Sequence, residues 1–301
     1  MDKLPTIDFG KLELKPGSEE WISVREQVYR ALEEYGLFEA ILDGVPTQSL
    51  YEKIKHVFSF PLATKLENSK LFTGYIGGNP AFPLWEGMIF NHILNPCVIE
   101  NFSNLLWPSG EPEFCDLVLS SAKRLREFDE MVRRMIFEKL GMEKYWDEHT
   151  KSITCSISFF KYRLPKKDEE TKTILSQHQV SGLQFKTKNE QWLEVEYSSP
   201  NSFLFLANDC LKALPNGRLH SPYHQVIMGN REVYTKEGYI IKVPEELVDE
   251  DHPLLDKPFD AVKYHEFCVL AKSQGVALTL ENLCGVKNFW ESLIAVQSIL
   301  K

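Results

Sequence analysis

The run Ile153-Thr154-Cys155-Ser156-Ile157-Ser158-Phe159-Phe160-Lys161-Tyr162 decides the fold class, because the chain changes period there. On its N-terminal side, Cys115 to Leu140 carries Leu125, Phe128, Val132, Met135, Ile136 and Leu140 at helical spacing, one apolar stripe that belongs to a core. From Ile153 onward the pattern is strand-like. Further strands are expected at Gly182–Thr187, Trp192–Glu196, Ser202–Ala207, Tyr223–Met228 and Tyr239–Val243. Turn residues such as Asn189-Glu190 and Pro215-Asn216-Gly217 separate some of them. A β block behind a helical block predicts an α+β protein, a sandwich or jelly roll flanked by helices.

Outward from this block, the N-terminal part mixes both periods. Leu4–Phe9 reads as a short opening strand. Ser18, followed by Glu19 and Glu20, suits a helix start. Trp21, Val24, Val28, Leu32 and Tyr35 give that helix its apolar face, and Gly36 ends it. A strand at Leu37–Leu42 and a helix at Gln48–Phe58 follow, with Pro61 closing the helix. Residues 66–112 are rich in Gly, Pro and Asn and read as loops. Their aromatics, Phe72, Tyr75, Phe82 and Trp85, either cover a pocket or pack the loops down. Tyr264 to Lys301 reads as a pair of terminal helices broken at Gly285. The expected organisation is an N-terminal region over 1–112, a jelly-roll core with its long preceding helix over 113–263, and C-terminal helices over 264–301, forming one compact unit.

With 301 residues the chain can bury a large core without disulfides or a structural metal. Its net charge of −9 argues against a general nucleic-acid binder. No segment approaches the roughly 20 apolar residues of a membrane span. The six cysteines form no C-x-x-C pair, and Met1 to Phe9 has no apolar leader core. These features predict a cytoplasmic protein with free thiols. Phosphate-loop, dinucleotide and nucleophile-elbow fingerprints are absent.

The order of several motifs is specific. Leu4-Pro5-Thr6-Ile7-Asp8-Phe9, Glu34-Tyr35-Gly36-Leu37-Phe38, Gly44-Val45 and Phe60-Pro61-Leu62-Ala63-Thr64-Lys65 come first. Gly182-Leu183-Gln184-Phe185 with Trp192 follows, and then Asn216-Gly217-Arg218-Leu219-His220-Ser221-Pro222-Tyr223-His224. From about residue 4 to about residue 267 the chain resembles the plant 2-oxoglutarate- and Fe(II)-dependent dioxygenases. Within them it is most similar to the branch that modifies glucosinolate side chains. The resemblance implies a double-stranded β-helix (cupin-like jelly roll) with flanking helices. It also implies Fe(II) and 2-oxoglutarate as cofactors and a small-molecule metabolite as substrate. In this family a His-x-Asp pair and a distant His form a facial triad, leaving open positions for 2-oxoglutarate and O₂. An Arg-x-Ser pair after the distant His binds the far carboxylate of 2-oxoglutarate.

Carried over residue by residue, the resemblance gives an incomplete site. His224 matches the distal ligand, although Gln225 stands where the family has Arg. Residues 165–180, where His-x-Asp would fall, contain no His-x-Asp or His-x-Glu. The interval reads as though about ten residues, most of one strand, had been removed. His178 is the only other metal-ligand candidate nearby, while Asp168, Glu169 and Glu170 fit a solvated charged loop. After His224 the sole guanidinium candidate is Arg231, followed by Glu232-Val233 in place of x-Ser. Arg231 therefore reads as either a solvated turn residue or a cosubstrate clamp. Lys161 and Tyr162 are further cosubstrate candidates on a bordering strand. Loss of even a supporting partner of a metal ligand costs about 10–100-fold, so losing two of three ligands implies no useful Fe(II) site. Three readings follow: an inactive or non-classical family member, a working oxidoreductase acting on a small plant metabolite, or a metal-free binder or isomerase using the old pocket. The core is expected to be shortened.

Overall fold

The structure, a computed structural model, describes residues 4–10, 14–70, 73–77, 85–162, 183–199, 201–226, 231–237, 240–273 and 279–286. Its spine is helix α5 (Pro112–Lys139), about 42 Å long at 1.5 Å per residue. Pro112 at the first turn suits the position, where its missing N–H is no loss. The first half of α5 buries Phe114, Cys115, Val118 and Ala122 in one core; the second half buries Phe128, Val132, Met135 and Ile136 in another.

The second of these cores is closed by helix α1 (Glu19–Glu34) and strands β1 (Thr6–Asp8), β2 (Leu37–Ile41) and β9 (Ser202–Leu206). Ser18 caps α1 by accepting from the Trp21 amide at 3.1 Å. Strand β2 pairs in parallel with β1 and antiparallel with β9. Apolar Phe38, Ala40 and Phe205 face the helices, while Leu37, Leu204 and Leu206 face away.

The first core lies under a five-stranded sheet. Helix α2 (Thr47–Ser59), α3 (Leu62–Leu66), β3 (Ser69–Lys70), β4 (Thr73–Ile76), β5 (Trp85–Asn91) and α4 (Pro96–Leu106) precede α5. Helix α6 (Trp146–Ser152) then leads into β6 (Ile153–Tyr162). Strand β11 (Arg231–Glu237) completes the order β11-β6-β5-β4-β3. Alternation puts Tyr75, Met88, Phe90, Cys155, Ile157 and Phe159 on α2, α4 and α5. Ile89, Asn91, Ser156, Ser158 and Phe160 take the opposite face.

A three-stranded sheet carries the motif histidine: β10 (His224–Val226), β7 (Leu183–Lys186) and β8 (Trp192–Glu194), in the order β10-β7-β8. Leu183, Phe185 and Val195 share a buried layer with Leu37, and Leu204 and Leu206 pack against it. This layer joins the sheet to the inner face of β2 and β9. Helix α7 (Asp209–Ala213), strands β12 (Ile240–Ile241) and β13 (Phe259–Asp260), and helices α8 (Ala261–Ser273) and α9 (Leu280–Cys284) form a third apolar cluster with Phe137 and Met142.

The 66–112 region departs from its loop reading, since it holds β3, β4, β5 and α4. The glycines and prolines there punctuate short elements and do not abolish them. Glu86, Met88 and Phe90 alternate as a strand requires. Asn95 caps α4 by accepting from the Cys97 amide at 3.2 Å, with Pro96 in the first turn. Tyr75 is 2% exposed on the helical side, so it packs down and covers no pocket. Phe72 and Phe82 lie outside the described residues. Arg231 opens a seven-residue strand paired to β6 and is not a turn residue. All six cysteines are free thiols. No described helix is long and apolar enough to cross a membrane.

Candidate active site

His224 is held by its strand. In the antiparallel register it stands opposite Phe185, and direct partners share a face. Phe185 is 1% exposed within the inner apolar layer, so His224 is aimed to the inner side of the sheet. The imidazole itself is exposed, at the rim of that layer. Its Nδ1 lies 3.3 Å from the Pro222 carbonyl. A carbonyl only accepts, so Nδ1 is the donor in this contact.

The loop leading to His224 is clamped from several sides. Asn216, at φ 54° and 4% exposed, donates from Nδ2 towards the carbonyls of Leu247, His252 and Pro253 at 3.2, 3.0 and 3.3 Å. Its Oδ1 accepts from the Leu255 amide at 3.1 Å. Arg218 donates to the carbonyls of Leu247 and Pro215 at 2.8 and 3.2 Å. Ser221 donates to Asp209 at 3.0 Å, and the His220 amide donates to Leu32 at 3.0 Å. Gly36, at φ +75°, has no room for a side chain: a Cβ would meet the His220 carbonyl at 2.4 Å. This accounts for two of the motifs. Glu34-Tyr35-Gly36 and Asn216-Gly217-Arg218 lock helix α1, the 247–255 stretch and the histidine loop together.

His220, in the same loop, is half-buried. Burial, together with the Lys188 charge, lowers its pKa against a hydrogen bond to the Lys186 backbone that raises it. An open cleft of about 640 Å³ beside it is lined by Arg30, Glu33, Glu34, Lys188, Arg218 and His252, among others. His224 is not part of that lining.

The cosubstrate candidates are distributed differently. Lys161 follows Phe159 by two residues and so shares its helix-facing side. Its ammonium sits 3.1 Å from Glu86 Oε1 and over the Phe58 ring at 6.0 Å. Glu86 also receives the buried Lys65 at 2.6 Å and the Tyr75 hydroxyl at 2.7 Å. Burial alone would raise the Glu86 pKa, but the hydrogen bonds from Lys65, Tyr75 and Lys161 overcome it and hold the carboxyl below its usual value. Lys161 therefore completes an ion cluster outside the sheet. In register, Tyr162 stands opposite Trp85 and Arg231 opposite Phe159, both in the five-stranded sheet, whereas His224 lies in another. His178 lies outside the described residues.

Two buried polar features escaped the sequence reading. Glu39, 1% exposed, accepts from Thr6 at 2.9 Å and from the Ser198 amide and hydroxyl at 2.6 and 2.9 Å. Desolvation opposes ionisation there, but bonds from Ser202, Ser198 and Thr6 outweigh it and lower the pKa. A lone carboxylate inside the apolar Leu37–Leu42 run was its signal. On the inner face of β6, Ser156 donates to Asn91 at 3.0 Å, while the Ser158 hydroxyl is buried with no hydrogen-bond partner among the described residues.

Among the described residues the ligand set for an iron centre does not come together. Among the described residues no three His, Cys, Asp or Glu side chains form a group able to hold a metal ion. None of the eight histidines in the chain is followed at the second position by Asp or Glu. The described residues do not by themselves supply an Fe(II) centre of the triad kind.

A model of the 2OG-Fe(II) oxygenase superfamily matches residues 158–235, the span from β6 to β11. The chain is 41% identical over 294 residues to an Arabidopsis thaliana protein described as probable 2-oxoglutarate-dependent dioxygenase AOP1, covering 88% of this chain and 96% of that one. It is 29% identical over 397 residues to another from the same plant described as probable inactive 2-oxoglutarate-dependent dioxygenase AOP2, covering 94% and 98%. Among solved structures it is similar to the rice dioxygenase for auxin oxidation, with a TM-score of 0.70 at 20% identity over 94% of this chain and all of that one. It is also similar to JOX2 in complex with 2OG, Fe and JA, with a TM-score of 0.68 at 20% identity over 88% and 85%. The fold is thus the jelly-roll double-stranded β-helix with flanking helices. The chain belongs to the plant 2-oxoglutarate-dependent dioxygenase family, in the branch that contains the AOP proteins.

Proposed function

We propose that this chain is a family member that has kept the scaffold and lost the iron-dependent oxidation. The observation that carries this reading is the isolation of His224: it keeps the ligand position and the inward aim, without a carboxylate or second histidine gathered around it among the described residues. Two of three protein ligands are missing from the family pattern, including the charged one that favours a hard divalent ion. Arg231 lacks the following x-Ser and lies in a different sheet from His224. A branch member described as probable inactive supplies a precedent within the same family.

Titration with Mn(II) or Fe(II) under argon, with 2-oxoglutarate present, tests this directly. A site of 10 μM affinity exposed to 1 mM metal would stabilise the fold by about 2.7 kcal/mol. The expected result is no binding heat, no upward shift of the melting temperature and no succinate formed, with the 41% identical relative as the comparison protein. Saturable binding or succinate formation would instead establish a working oxidoreductase acting on a small plant metabolite.

One observation favours a second reading, in which the pocket binds a small metabolite without iron. Ser158 keeps a buried hydroxyl, unpartnered among the described residues, beside the Asn91–Ser156 pair on the inner face of β6. Such an atom carries a desolvation cost of about 1–3 kcal/mol, which a bound hydrogen-bond acceptor would relieve. Binding or turnover untouched by strong chelators is its signature. In either case we infer a cytosolic protein whose partner is a small molecule, not nucleic acid or membrane.

A further inference from the structure

The C-terminal end of the described chain is fastened by a short antiparallel joint. The Lys257 amide donates to the Cys284 carbonyl at 2.8 Å, and the Val286 amide donates to the Leu255 carbonyl at 2.8 Å. Asp256 bridges to Gly285 at its centre. Asp256 is 7% exposed, and its Oδ1 is buried with no hydrogen-bond partner among the described residues. A carboxylate so placed is costly unless paired or protonated.

Its charged neighbours come from the two helices packed around it. Helix α7 supplies Lys212 and Asp209, and helix α9 supplies Glu281. Asp209 is itself committed, accepting from Tyr264 of α8 at 2.6 Å and from Ser221 at 3.0 Å. Lys257, next in the chain, alternates to the other side of the joint, and the other titratable neighbours among the described residues are thiols and a phenol. Burial, then Asp256 and Cys268, push the Cys284 thiol up to about 12. Burial also raises the Cys268 thiol and the Tyr264 phenol. One lysine therefore faces three carboxyls in an apolar setting.

We propose that the joint between residues 255–257 and 284–286 is a pH-sensitive latch that closes more firmly on acidification, with the Asp256 carboxyl as its sensor. Burial raises the Asp256 pKa, and Glu281 and Asp209 add to this against Lys212. The docked form therefore binds a proton more tightly than the undocked form, where Asp256 meets water. As pH falls through the docked value, the docked form gains stability; above that value it carries the cost of a buried charge.

The latch is read by hydrogen exchange at the Lys257 and Val286 amides in the full chain, corrected for intrinsic exchange, from pH 8 to pH 5. The expected result is a several-fold rise in protection of both amides towards pH 5. In Asp256→Asn the rise is abolished and protection at pH 8 exceeds that of the parent. Asp251→Asn, at an exposed position, leaves the profile unchanged. Flat protection in the parent overturns the proposal, as does an undiminished pH dependence in Asp256→Asn. If that variant does not fold, the parent profile and Glu281→Gln decide. Glu281→Gln removes a repelling charge, so it raises protection at pH 8 and weakens the pH dependence.

Discussion

Replacing Glu86 by Gln tests whether Lys161 belongs to the scaffold or to the inner pocket. Glu86 gathers Lys65 at 2.6 Å, Tyr75 at 2.7 Å and Lys161 at 3.1 Å. The Lys65 side chain is 6% exposed, and its only other acceptor in this cluster is the Phe58 carbonyl at 3.0 Å. Breaking a buried pair leaves an uncompensated charge at about 3–5 kcal/mol. Gln retains one acceptor oxygen and Glu86 is 20% exposed, so the expected loss is about 2–3 kcal/mol. For a chain of this size that lowers the melting temperature by roughly 4–6 °C. Lys161, with its side chain 50% exposed, holds only a surface pair. Lys161→Ala should therefore cost about 0.5 kcal/mol, most of it lost when Glu86 is already Gln. The pH dependence has a definite sign. The folded pKa of Glu86 lies below its unfolded value, so its contribution is complete above the unfolded pKa and fades as pH falls through the folded one. The gap between parent and Glu86→Gln should close in acid. Urea denaturation of the four proteins of the double-mutant cycle measures all of this. A Lys161→Ala loss as large as that of Glu86→Gln would refute the reasoning. So would additive effects, which would free Lys161 for the inner pocket.

Three further outcomes are expected. Asn216→Ala removes the bonds that tie the 247–255 stretch to the histidine loop and forces Ala into a left-handed conformation; a loss of about 3–5 kcal/mol in urea denaturation checks it. Gly36→Ala meets the His220 carbonyl at a φ unfavourable to Ala, so it should cost about 2 kcal/mol or more and shift the His224 imidazole signals in NMR. His149 is held down to about 3 by burial and by Arg133 and Arg126, so the folded protein refuses a proton that the unfolded chain accepts; stability falls below pH 6.5, by about 2 kcal/mol at pH 5, and His149→Phe should remove that part of the loss in a pH series of melting curves.

The architecture was legible where local signals agree with tertiary demand. Ser18 and Gly36 bracket α1 as capping chemistry requires, and the stripe from Leu125 to Ile136 is the face that α5 buries. Strand β5 and helix α4 were not legible, because Gly87 and Pro96 read as breakers in isolation. Gly87 sits mid-strand opposite Phe160, and Pro96 occupies the one helical turn that tolerates it. Strand β11 was hidden for another reason. Arg-Glu-Val-Tyr-Thr-Lys-Glu is polar at most positions, and only its pairing with β6 makes it a strand. At the site, the motif singled out His224, and its aim follows from the register with Phe185. The motif could not give the side of the sheet taken by Lys161, which follows from the two-residue period counted from Phe159.

The proposed loss of the iron ligands from an intact scaffold has a physical basis. Metal binding adds folding energy when the ligands are otherwise unsupported. Here the loop before His224 is fixed by Asn216, Arg218, Ser221 and the close approach at Gly36, none of which needs an ion. Strand β10 is fixed by its ladder with β7, and the layer behind it by Phe185, Leu183, Leu37 and Val195. None of these contacts among the described residues involves a carboxylate beside His224. Selection for folding alone can therefore keep Asn216-Gly217-Arg218 and Gly36 while the iron ligands drift. The scaffold motifs are accounted for by folding contacts alone, so by themselves they carry no information about turnover.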